Sequence, residues 1–121
     1  MDYRQGQLCA ALIHPERGEP KQRPVVIVTR TEEISANQPV VVVAVSTTFS
    51  EPLSADQIEL PFETRGRCST GLARRSVAVC SWLTTLNVAD LGEVRGYVPP
   101  PILLKILGRV RTHLDRIVDE P

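Results

Sequence analysis

Arg23 is the residue of this sequence whose type and setting most invite chemistry. It stands before Pro24 and the β-branched run Val25 to Val28 in KQRPVVIVTR. A guanidinium offers a planar fork of N–H donors and a permanent charge, which suits a phosphate. A second group of donors, Ser46-Thr47-Thr48, ends the next apolar run, VVVVAVSTT. If the two runs are antiparallel neighbours, the start of one lies beside the exit of the other. The guanidinium then approaches hydroxyls that can donate to a non-bridging phosphate oxygen. Side chains alternate along a strand, so only one of Thr47 and Thr48 shares a face with Arg23. The same hydroxyls also suit a plain strand end, where Ser and Thr bond nearby backbone groups.

The rest of the sequence narrows the chemistry. There is no Gly-rich phosphate loop, no GxSxG elbow and no HExxH. His14 and His113 are the only histidines and lie far apart, and no Asp/His spacing suggests a metal site. Three cysteines, Cys9, Cys68 and Cys80, lack CxxC spacing, which argues against a disulfide scaffold and a cysteine zinc site. Cys9 and Cys80 lie in apolar runs and read as buried thiols. An enzyme built from this chain would work without an obvious metal or cofactor, through Arg, Thr, Ser, Glu or His.

Fourteen Lys and Arg balance fourteen Asp and Glu, so there is no overall basic signature for nucleic acid. The distribution says more. Residues 31 to 64 hold no Lys or Arg but carry Glu32, Glu33, Glu51, Asp56, Glu59 and Glu63. The bases gather in two loops, Arg17-Lys21-Arg23 and Arg65-Arg67-Arg74-Arg75. They could converge on one anionic ligand or simply be solvated.

Positioning these residues falls to a valine-rich chain of 121 residues with few aromatics, which fits one domain, 1–121, built mainly from β-strands. Expected strands are Gly6 to His14, Val25 to Thr29, Val40 to Thr47, a weaker one in DQIELP, and one in RSVAVCSWLTTL. RTEEISANQP suits a short helical turn, and VADLGEVRG a second one ended by Gly96. After VPPP the apolar residues Leu103, Ile106, Leu107, Val110, Leu114 and Ile117 recur at three- and four-residue steps. That predicts an amphipathic helix of around four turns lying on the sheet, with Pro101 in its first turn. Gly108 inside it costs about 1 kcal/mol relative to alanine, so close packing is expected there. No apolar stretch is long enough to span a bilayer, and the N-terminus lacks a signal core, so the expected location is the cytoplasm, with no membrane contact.

The order QGQLCAALIHPERG, RPVVIV, VVVAVSTT, TGLARRSVAV and WLTTL resembles the MazF/PemK toxins of bacterial toxin–antitoxin systems, from Gly6 to about Ile117. The resemblance implies an SH3-like β-barrel with a C-terminal helix, usually a homodimer, and a metal-independent endoribonuclease without cofactor. Such enzymes cut single-stranded RNA by attack of the adjacent 2′-OH, leaving a cyclic phosphate and a 5′-OH. The family's catalytic arginine matches Arg23 and its catalytic threonine matches Thr47. Arg17, Lys21, Thr48 and Ser76 are the accompanying substrate-binding candidates. Arginine is a poor base, so the proton of the 2′-OH falls to Glu19, Glu16, His14 or water. A cognate antitoxin is the expected protein partner.

The chain also departs from the family pattern. Gly18-Glu19 stands where a serine is frequent, Cys9 where many members carry an aromatic, and Ser81-Trp82 where an acidic-Gln pair is usual. Trp82 is either core or a stacking surface for RNA bases. A non-catalytic toxin or binding module on the same fold, such as a CcdB-like gyrase poison, is the alternative function. The tail RIVDEP lacks the aromatic-glycine-aliphatic ending expected of one.

Overall fold

The computed structural model describes residues 3–13 and 19–119, with side chains described up to residue 113. The order is β1 (Gln7–Ile13), β2 (Lys21–Ile27), a 3₁₀ turn (Thr31–Glu33), β3 (Val40–Ser46), β4 (Gln57–Leu60), β5 (Ser76–Leu86), a second 3₁₀ turn (Val88–Asp90), β6 (Leu91–Tyr97) and α1 (Pro100–Asp119). The strands form one sheet in the order β4-β5-β3-β2-β1-β6. Every pairing is antiparallel.

Valine supplies the interior of this sheet because a β-branched side chain packs well on a pleated surface. β2 and β3 are central in the sheet, and a core cluster covers each face of their inner residues. Val25, Val26, Ile27, Val42 and Val43 are all fully buried. Alternation sorts them into two cores. Leu8, Val26, Val43, Val45, Ala78 and Cys80 pack with Ile106 and Val110 of α1. On the other face Cys9, Ala11, Ile13, Val25, Ile27 and Val42 gather with Tyr3 and Leu91. Tyr3 Oη donates to the Leu91 carbonyl at 3.0 Å, which satisfies its buried hydroxyl.

Asp56, just before β4, holds the helix by its charged residues. Its Oδ1 accepts from Arg109 Nε at 2.7 Å and from His113 Nε2 at 2.8 Å. Its backbone carbonyl accepts the Cys80 N–H at 2.8 Å. The hydrogen bond from Arg109, then that from His113, keeps the Asp56 carboxyl below its ordinary value.

Three expectations need correction. VADLGEVRG is a turn only at Val88–Asp90, and then becomes strand β6. Gly96 ends nothing. It pairs with Leu8, and a Cβ there would strike the backbone of Ser69 and Thr70. The helix runs for 20 residues, longer than four turns, and Gly108 has nothing within 4 Å of a hypothetical Cβ, so it marks no close packing.

The sheet bends into a barrel-like form through the connection from β4 to β5. Tyr97 N–H in β6 donates to Ser69 O at 2.8 Å, and Glu63 N–H to Leu72 O at 3.0 Å. Gly71 makes the approach possible. Its φ is +73°, and a Cβ would sit 2.5 Å from Arg95 O. Among the described residues, no helix is long and apolar enough to cross a membrane.

Candidate active site

β2 begins four residues before the valine run because the far half of β1 pairs with it. Ile13 faces Lys21, Leu12 faces Gln22, Ala11 faces Arg23 and Ala10 faces Pro24. Arg23 therefore lies inside a strand. The ladder to β3 begins only at Val25, opposite Ala44. Pro24 precedes that point and has no N–H to give a ladder. On its β3 side, Arg23 is thus free of backbone pairing while β1 fixes its direction.

Continuing the β2–β3 register two residues outward puts Ser46 across from Arg23. Thr47 follows β3 as its first residue beyond the strand, exposed and in a bend, with Thr48 exposed after it. Ser46 Oγ donates to Thr48 O at 3.2 Å and accepts the Thr48 N–H at 3.0 Å. This local ring turns the chain at the strand end. The structure brings the start of β2 and the exit of β3 to one end of the sheet, with Ser46 in the register position and the two threonines beyond it.

The start of β5 lies at the same end, since Ser46 pairs with Val77. Ser76 is buried, and its hydroxyl donates to Arg74 O at 2.9 Å, so it serves the backbone. Lys21 and Glu19 are exposed at and just before the start of β2. Arg17, Glu16 and His14 lie outside the described residues. In the second basic loop, Arg75 is taken up by carboxylates of this chain. Arg75 forks onto Glu59, with Nε at 2.8 Å and Nη2 at 3.0 Å, and also pairs with Glu51.

Arg23 has a different environment. Its Nε is buried and has no hydrogen-bond partner among the described residues. Its guanidinium carbon lies over the Trp82 ring, 5.2 Å from the centroid. This side chain combines a charge, a buried donor and an aromatic neighbour, and among the described residues it has no carboxylate partner. A phosphate oxygen is the kind of group that would complete it. Trp82 is the site residue that strand periodicity could not identify. Its signal in the sequence is the Ser81-Trp82 departure.

The cysteines take no part. Burial pushes the Cys9 and Cys80 thiols up to about 11. Cys68 is drawn below its ordinary value, chiefly by its hydrogen bond with Thr70, in the loop that meets β6. Among the described residues, no group of three or more His, Cys, Asp or Glu side chains could hold a metal ion.

A six-stranded antiparallel sheet curled against a C-terminal helix is the fold this chain shares with solved MazF toxins. MazF from Deinococcus radiodurans superposes with a TM-score of 0.74 at 14% identity, over 95% of this chain and 98% of that one. The chain belongs to the PemK-like, MazF-like toxin family of type II toxin–antitoxin systems, whose sequence model matches residues 4–114. A mycobacterial endoribonuclease shares the fold at 19% identity and a TM-score of 0.70, covering 95% of this chain and 93% of that one. A mycobacterial endoribonuclease in complex with its cognate antitoxin does so at 19% identity and a TM-score of 0.64, with 94% of each chain covered. No curated protein sequence matches this chain significantly.

Proposed function

We propose that this chain is a toxin that cuts single-stranded cellular RNA at short sequences in the cytoplasm, without a metal ion, by attack of the 2′-oxygen on the adjacent phosphorus. The observation that carries the reading is Arg23, whose buried Nε has no hydrogen-bond partner among the described residues, near the start of β2 and at the end of the sheet where β3 exits into Ser46, Thr47 and Thr48. Family membership supports the chemistry.

In this reading the 2′-oxygen forms a bond to phosphorus and the bond to the 5′-oxygen breaks. The products are a 2′,3′-cyclic phosphate and a 5′-OH. Arg23 stabilises the charge that gathers on the non-bridging oxygens, with a hydroxyl from the β3 exit, Thr47 in the family pattern, as a second donor. One preorganised donor of this kind contributes on the order of 10²–10³ in rate. The 2′-OH proton passes to a base, for which Glu19 is the described carboxylate nearest in sequence to Arg23; Glu16 and His14 are the others. Arg23 protonates the leaving 5′-oxygen. Lys21 and Arg17 hold flanking phosphates.

Two copies form the working unit, and a cognate antitoxin covers the site. Apolar Leu12, Val94 and Tyr97, exposed on the paired strands β1 and β6, support self-association. The antitoxin complex of the mycobacterial neighbour supports the second partner.

The test incubates purified protein with a long, weakly structured RNA in EDTA, beside Arg23→Ala. Cleavage to cyclic-phosphate ends, lost in the variant, is the expected result. Intact protein that leaves a diverse RNA set uncut would overturn the proposal.

A further inference from the structure

We infer that Trp82 positions Arg23 for RNA cleavage, and that an indole serves there because it holds a guanidinium without neutralising it. The inference rests on the reading of Arg23 as the phosphate-binding arginine of that site.

The two side chains come from strands that are not neighbours. Arg23 is on β2 and Trp82 on β5, with β3 between them. Two inter-strand spacings, about 9.6 Å, separate their backbones. A break in the β3–β5 register brings them together. Val43 pairs with Leu83, but the next residue, Ala44, pairs with Val79. Cys80, Ser81 and Trp82 are therefore extra residues with no counterpart on β3, and a bulge of this kind re-aims a side chain. Trp82 packs against the core face that holds Val25 and Ile27, the face that alternation gives to Arg23. The β3 residue opposite Val25 is Ala44. Its single methyl leaves room for a ring and a guanidinium to meet across the strand. They do so at 5.2 Å.

The chemistry explains the choice. A ring attracts a cation through its quadrupole and supplies no acceptor oxygen. A carboxylate would hold the same fork more firmly, but through the N–H donors a phosphate needs and with opposite charge. Trp82 restricts the rotamers of Arg23 and leaves its donors and charge for the transition state.

The test uses the full-length protein and its one tryptophan. Arg23→Ala should shift the emission of Trp82, while Arg75→Ala should not. An all-deoxy oligonucleotide, which lacks the attacking 2′-OH, should change the emission of the unaltered protein but not of Arg23→Ala. In EDTA, Trp82→Leu should lower kcat about tenfold with KM little changed, Trp82→Phe should recover most of that loss, and Trp82→Glu should fall below Trp82→Leu. Circular dichroism melting verifies that each variant is folded. Emission indifferent to Arg23, or equal kcat in folded Trp82→Leu and the unaltered protein, would overturn this inference alone. No cleavage by the unaltered protein would overturn the endoribonuclease reading and this inference with it.

Discussion

Among the described residues two arginines lie over aromatic rings, and their surroundings differ. Arg75 stands 5.0 Å from the Phe49 centroid and Arg23 stands 5.2 Å from that of Trp82. Arg75 is also gripped by Glu59 and Glu51. Its hydrogen bonds to Glu59 first, and then to Glu51, raise its pKa and strengthen its hold on the proton. Its Nε and Nη2 are engaged by these carboxylates, so it clamps the loop before β5 to β4. Arg23 keeps the ring and, among the described residues, has no carboxylate on it. The difference shows that an aromatic neighbour marks neither structure nor function by itself. The state of the N–H donors separates the two.

The comparison breaks most sharply by substitution at the arginines. Arg23→Lys keeps the charge but loses the fork, and should lower kcat on the order of 10²–10³ with an unchanged melting temperature. Arg75→Ala should do the reverse, leaving kcat within about twofold and lowering the melting temperature slightly, as expected for exposed ion pairs. Gel-based cleavage and thermal melts on the same preparations check both. Turning Arg23 into a second Arg75 is the next largest effect. Ser46→Glu offers a carboxylate from the facing register position and should reduce cleavage about tenfold or more while the fold melts no earlier.

Acid should then weaken the clamped regions. The carboxyls of Glu59 and Asp56 titrate below their ordinary values in the folded chain, through hydrogen bonds first from Arg75 and Arg109 respectively. A depressed carboxyl contributes stability above its unfolded pKa and loses it as pH falls through the folded one. The melting temperature should hold from pH 7 to about pH 5 and drop below about pH 4. Arg75→Ala should flatten part of that drop. The smallest effect serves as a control at a position where an added Cβ meets nothing within 4 Å. Gly108→Ala on the open side of α1 should stabilise the fold by about 0.5–1 kcal/mol, read by urea denaturation, with cleavage unchanged.

Much of this was legible in the sequence, and for identifiable reasons. The strands β2, β3 and β5 announce themselves because their valines must be buried, and β1 because its apolar run QLCAALI must be. The helix is legible because its apolar stripe keeps a period near 3.6. β6 is hidden because most of LGEVRGY is exposed. Its glycines read as breakers, although Gly92 and Gly96 are there to let other backbone come close. The start of β2 and the exit of β3 could be placed side by side from antiparallel pairing alone. Which hydroxyl faces Arg23 depends on a one-residue register, which alternation cannot fix without an anchor. The meeting with Trp82 was out of reach, because it depends on three unmatched residues in β5 that no periodicity records.

The pairing of β1 with β6 also sets a schedule for making the protein. β1 ends at Ile13, and its outer neighbour does not exist until residues 91–97 have been translated. The hydrogen bond from Tyr97 to Ser69 waits for the same segment. Until then a nascent chain carries an open strand edge, the surface on which chains pair wrongly, and contacts this distant in sequence form slowly. The strands β2, β3 and β5 that carry the arginine and its ring are complete earlier, at residue 86. The end that carries Arg23 can therefore assemble on the ribosome before the sheet that supports it is closed.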